Sequence, residues 1–162
     1  MIRLNFLSGF IFGLFFWSLS IFWIYDAINY YGAGNILSFF ITVLLICYLS
    51  IYIGVFCKSI TYFRNSKITI LLVPSIFYIL EWVRSWMISG FPWLNLGIIV
   101  EPFWGFLPYV GASGTSFLVI FLLCLLSYSL LGNKDNGNKT TLKRTISLAT
   151  ACLIFFIGSI NH

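Results

Sequence analysis

Polar and charged positions along this chain gather into short connections, leaving five long apolar runs: Phe6 to Tyr25, Ile36 to Cys57, Ile68 to Ile88, Thr115 to Leu131 and Ile146 to Ile160. A helix needs roughly 20 residues to cross about 30 Å of hydrocarbon, so the first three runs have the length and the last two stand at the short end. Period-two alternation is missing, which removes a barrel, and isolated strands leave their backbone groups unsatisfied in lipid. The pattern predicts an all-α, polytopic transmembrane bundle: a single membrane domain over 1–162 with about five spanning helices, 6–25, 36–57, 68–88, 115–131 and 146–160.

Between the third and fourth runs, residues 89–114 follow neither pattern. They hold three of the four prolines (Pro92, Pro102, Pro108), five glycines, and Trp93, Trp104 and Tyr109. Proline and glycine at this density forbid one continuous helix, while the aromatic content forbids a freely solvated loop. The expectation is an irregular outer segment lying at the interface or re-entering the membrane, with Trp and Tyr either anchoring the fold at the headgroups or shaping an opening for lipid.

Composition agrees with the pattern: 60% of residues are hydrophobic, 20% aromatic and 8% charged, with a mean hydropathy of +1.01. Soluble domains carry about a quarter charged residues. The net charge of +5 does not indicate nucleic acid, because the basic residues sort by connection rather than along a face. Arg3 precedes the first run, Lys58, Arg64 and Lys67 follow the second, and Lys134, Lys139, Lys143 and Arg144 follow the fourth. The connections 26–35 and 89–114 have neither Lys nor Arg. The positive-inside rule then puts the N-terminus in the cytoplasm and the C-terminus across the membrane. The basic segments read as topology signals facing anionic lipid. The Asn138-Lys139-Thr140 glycosylation match falls on that same cytoplasmic side and reads as chance.

Cys47, Cys57, Cys124 and Cys152 lie singly in apolar runs and read as small buried hydrophobes, and His162 as a tail residue. No metal-ligand set or cofactor motif is read. Arg3 followed by an apolar run is too long for a signal peptide and lacks a cleavage pattern, so it reads as a retained anchor. Gly9 and Gly13 form a small-xxx-small pair in the first run.

One stretch breaks the apolar rule from within. "EWVRSWMISGFPWLNLG" puts Glu81 and Arg84 inside the third run. An unpaired ion at a helix centre costs on the order of 2.5 to 3.5 kcal/mol. The i, i+3 spacing puts both on one helical face, where Arg84 reaches back toward Glu81. The pair is expected to face the bundle interior or a wet cavity. A plain packing role and a direct functional role both fit.

Glu81-Trp82-Val83-Arg84-Ser85-Trp86, followed by Gly90-Phe91-Pro92-Trp93-Leu94 and Gly97, resembles the signature of the membrane domain of bacterial apolipoprotein N-acyltransferases. "GFIFGLFFWSLSIFWIYDAINYYGAG", with Trp23 and Tyr25, and "GFLPYVGASGTSFLV" extend the resemblance, in the family's order, over nearly the whole chain. The resemblance implies a bacterial inner-membrane enzyme that moves an acyl chain from a phospholipid to the amino group of an N-terminal diacylglyceryl-cysteine. It implies chemistry through a thioester on a Cys, aided by a Glu and a Lys, in a nitrilase-like domain outside the membrane. None of the four cysteines matches that domain's motif. The expectation is therefore a truncated or split membrane part, starting after the family's earliest membrane segments and holding no catalytic residue. Glu81, Arg84, Trp86, Phe91, Pro92, Trp93, Trp23 and Tyr25 would shape the lipid or substrate opening. Its partners would be the phospholipid bilayer, a separately encoded nitrilase-like half and, with that half, the apolipoprotein. A non-enzymatic small membrane protein, remnant or helper, is the alternative. A transporter fits less well, for no inverted repeat or pair of broken helices is visible.

Overall fold

Apolar runs become helices because the helix satisfies its backbone internally whatever surrounds it. A computed structural model describes residues 5–63, 68–87, 90–131 and 138–160, with side chains described outside 130–144 and 159–160. Arg3, Arg64, Lys67, Lys134 and His162 lie outside the described residues, as do the side chains of Lys139, Lys143 and Arg144. The order is α1 (Phe6–Ile21), α2 (Trp23–Ile28), a π-helical turn (Asn29–Ala33), α3 (Asn35–Phe63), α4 (Thr69–Trp86), α5 (Leu96–Ile99), a 3-10 helix (Glu101–Phe106), α6 (Leu107–Leu131) and α7 (Asn138–Ile160). The described residues contain no strand. They pack as two compact units, Met1–Arg64 and Asn65–His162.

Two helical stretches of 29 residues, Asn35–Phe63 and Glu101–Ser129, are long and apolar enough to cross a membrane. A bent pair, Phe6–Ile21 with Trp23–Ala33, makes a third if it counts as one span. Two or three spans are therefore given by length and composition. The chain is an all-helical membrane protein. α4 carries Glu81 and Arg84 within 18 residues, and the apolar part of α7 is the shorter Thr145–Gly158.

In the first unit α1 and α3 run antiparallel through small residues. A Cβ added to Gly9 would lie 2.7 Å from the Cys57 Cβ, and one added to Gly13 would lie 2.9 Å from the Ser50 Cα. Buried hydroxyls on α3 bond back to their own helix, Ser50 Oγ to the Ile46 carbonyl at 2.6 Å and Thr42 Oγ1 to the Ser38 carbonyl at 2.8 Å. Both hydroxyls are thereby satisfied within α3 itself. Lipid offers no hydrophobic drive between helices, so this close contact is what holds the unit. A Gly9→Leu chain is expected to separate α1 from α3 and raise thiol-reagent labelling of Cys57 severalfold in detergent. Labelling equal to the parent would mean the seam is not held there.

Two of the expected segments carry internal structure that their ranges alone did not show. The first run does not continue straight to Tyr25: the axis turns by 50° beyond Ile21. The Ser20 hydroxyl takes the Phe16 carbonyl at 2.7 Å, and the Tyr25 N–H bonds the Phe22 carbonyl three residues back at 3.0 Å. Both tighten and bend a helix without proline or glycine. The segment 89–114 is not irregular throughout. Asn95 caps α5, Pro102 opens the 3-10 helix, and α6 starts at Leu107 with a break at Gly111 (φ 69°). Pro102 and Pro108 stand in the first turn of a helix, where their missing N–H is not needed, and Pro92 lies in the connection before α5.

In the second unit the 3-10 helix turns Phe103 into a core with Val119, Leu122, Leu125 and Ala151. Phe103 meets Phe155 of α7 edge-on at 6.2 Å. Ser147 Oγ of α7 donates to the Leu125 carbonyl of α6 at 2.9 Å. The connection after α4 is thereby locked to α6 and α7. The four cysteines are free; three are half-buried and Cys152 is exposed rather than buried.

Candidate functional site

α4 brings Glu81 and Arg84 onto one face, and both side chains are buried, at 5% and 7% exposure. Arg84 Nη2 lies 3.7 Å from Glu81 Oε1. That distance gives Coulomb attraction without a tight hydrogen bond. The same Oε1 accepts a second, shorter contact: the Leu96 N–H donates to it at 3.0 Å. Leu96 opens α5, so Glu81 joins α4 to the segment that follows it.

A second tie reaches the same segment from α6. Ser116 is fully buried and Asn95 is 4% exposed. The Gly97 N–H donates to Ser116 Oγ at 2.7 Å and to Asn95 Oδ1 at 3.2 Å. The Ser116 hydroxyl donates to Asn95 Oδ1 at 2.8 Å, with the Ala112 carbonyl at 3.2 Å. Backbone meets backbone here: a Cβ on Gly97 would collide with the Ala112 carbonyl oxygen. These bonds join groups that are themselves buried, while Glu81 Oε2 is buried without a hydrogen-bond partner.

Outside the cluster lie the aromatic residues. Trp82 and Trp86 stack edge to face with ring centres 5.5 Å apart, and both are more than half exposed. Phe91 and Trp93 are 6.4 Å apart. The Phe91 N–H donates to the Arg84 carbonyl at 3.1 Å, closing the end of α4. Pro92 is exposed and Phe91 half-buried.

Comparison with known proteins gives a match of residues 2–125 to the family described as the apolipoprotein N-acyltransferase N-terminal domain. The chain belongs to that family. An apolipoprotein N-acyltransferase of Haemophilus influenzae is 27% identical over 158 residues, covering 96% of this chain and 29% of its own length. One of Coxiella burnetii is 32% identical over 157 residues, covering 93% of this chain and 31% of its own. One of Wigglesworthia glossinidia brevipalpis is 37% identical over 129 residues, covering 74% of this chain and 26% of its own. The chain therefore spans less than a third of the length of these relatives.

Within this apolipoprotein N-acyltransferase N-terminal domain, the residues singled out in the sequence divide into three sets. Glu81 and Arg84 come together in the buried cluster. Trp86, Pro92 and Trp93 sit beside it, exposed, with Phe91 half-buried among them. Trp23 and Tyr25 belong to the first unit, where α1, α2 and α3 line an open cavity of about 610 Å³ that Tyr25 borders. Ser18, Tyr25, Asn35 and Thr42 give its lining polar groups, and Phe22 and Phe39 are among its apolar walls. Asn95 and Ser116 were not singled out. The signal for Asn95 was present, an amide directly before Leu96-Gly97 in an apolar stretch. Ser116 sits 19 residues beyond its Gly97 partner, a spacing no local pattern reveals.

Proposed function

We propose that these residues form the membrane part of an apolipoprotein N-acyltransferase, the enzyme that moves an acyl chain from a phospholipid to the N-terminal diacylglyceryl-cysteine of an apolipoprotein. The observation that carries the proposal is the match of residues 2–125 to the N-terminal domain of that family. The part works in the bacterial inner membrane with five crossings, N-terminus in the cytoplasm and C-terminus outside, supported by the eight basic residues gathered on one set of connections. Bond making belongs to the length of the relatives these residues do not span. Glu81 and Arg84 act as a buried strut. Trp86, Phe91, Pro92 and Trp93 form an aromatic rim beside it, and Trp23 and Tyr25 a second lipid-facing wall. The cavity beside Tyr25 suits a lipid, with hydroxyls and an amide along apolar walls. The remaining partners are the bilayer, a nitrilase-like half and the apolipoprotein presented to the pair.

Mass spectrometry of lipoprotein N-termini tests this in cells whose own N-acylation has been switched off. The 162 residues alone are expected to leave lipoproteins diacylated. Co-expression with the remaining length of a relative is expected to restore the third acyl chain. Triacylated product from the purified chain by itself would overturn the assignment of chemistry elsewhere, and no product from any pairing would overturn the membrane-part reading.

A further inference from the structure

Among the described residues, Leu94 alone is a residue other than glycine with its backbone in the left-handed region, at φ 53°. A branched side chain there is strained, and such strain persists only where the surroundings over-determine it. What over-determines it lies immediately after. Asn95 Oδ1 accepts from the Ser116 hydroxyl at 2.8 Å and from the Gly97 N–H at 3.2 Å. Asn95 is more than an ordinary cap of a short helix, because the cap bond to Gly97 needs no partner on α6, whereas Ser116 ties it to that helix. Immediately before Leu94 stand Pro92 and Trp93, exposed, with Trp93 at 53%. A buried clasp on one side and an exposed aromatic tip on the other therefore share a single strained residue.

We infer that Asn95 and Ser116 are positioning residues: through Leu94 they fix where Pro92 and Trp93 are held, and so set the aromatic rim past which the phospholipid donor is admitted. The functional half rests on the acyltransferase reading above; the mechanical half does not. Neither residue touches a reacting atom. Each acts by holding the tip, so its loss weakens capture of the lipid more than the turnover of lipid already bound.

The test uses the full chain in membrane vesicles, with Trp93→Cys labelled by a membrane-impermeant maleimide and the parent chain giving the background from its native cysteines. Asn95→Leu and Ser116→Ala are each expected to change the labelling rate severalfold, as the exposed tip is no longer held in one position. Leu94→Asn, an αL-tolerant residue, is expected to bring labelling of the Ser116→Ala chain back to within about twofold of the parent. General loosening of the fold would not be cured that way. Should Asn95→Leu fail to insert, Ser116→Ala decides the matter. Unchanged labelling in Ser116→Ala, or no reversal by Leu94→Asn, overturns the clasp. In the assembled enzyme, Ser116→Ala is expected to raise KM for phospholipid severalfold with kcat within about twofold; a fall in kcat alone overturns the positioning role. Absence of N-acylation with the parent chain would count against the acyltransferase reading, while the labelling would still decide the clasp.

Discussion

A Gly97→Ala chain is expected to be destabilised by roughly 3 to 5 kcal/mol, since overpacking and broken buried hydrogen bonds add at one point. The new methyl would collide with the Ala112 carbonyl oxygen and stand 2.8 Å from both the Ser116 nitrogen and the Thr115 Cβ. Two of these three are backbone atoms of α6, which cannot swing aside as the end of a flexible side chain can. α5 must lift instead. Lifting it parts the Gly97 N–H from Ser116 and the Leu96 N–H from Glu81. The comparison is Ile99→Ala on the same short helix, where the side chain is 51% exposed and truncation is expected to be nearly silent. Unfolding of both variants in mixed detergent, followed by circular dichroism, gives the difference. Midpoints for Gly97→Ala and Ile99→Ala that coincide would mean α5 does not rest on α6 as described.

That expectation depends on contacts the sequence only half revealed. The helices themselves were legible, because apolar runs bounded by polar connections leave the backbone one choice in lipid. The Glu81–Arg84 face was legible too, since i, i+3 spacing is local geometry. Segment 89–114 misled because proline and glycine were weighed only as breakers; Pro102 and Asn95 in fact start helices, and their positions relative to the next apolar residues carried that information. The 50° turn beyond Ile21 had no such mark, for it falls where the sequence has neither proline nor glycine. The least legible feature was the partner of Glu81. Its shorter contact is with a backbone N–H 15 residues away, and a backbone donor leaves no trace in side-chain identity. Only the return of the chain after Gly90 brings it there.

The backbone partner changes what charge reversal at 81 and 84 should do. Arg84→Glu puts a second carboxylate beside a buried one, and Glu81→Arg removes the acceptor; each is expected to destabilise the protein by about 3 to 5 kcal/mol, the range for breaking a buried pair. If the two ions did nothing but satisfy each other, the double reversal would restore stability. Glu81 Oε1 also accepts the Leu96 N–H at 3.0 Å, and an arginine at position 81 has no acceptor to offer. The double reversal is therefore expected to recover the Coulomb part and keep a deficit of about 1 to 3 kcal/mol, the penalty of a buried donor left unmet. Glu81→Gln separates the parts from the other direction: its amide oxygen still accepts from Leu96 while the charge opposite Arg84 is gone. A double-mutant cycle on unfolding midpoints reads both quantities. Complete recovery in the double reversal would show that α4 holds the ion pair for its own sake. A persistent deficit, matched by intact Leu96 bonding in Glu81→Gln, would mean that the buried carboxylate is kept inside the membrane protein to seize the returning backbone, with Arg84 present to make a buried carboxylate tolerable.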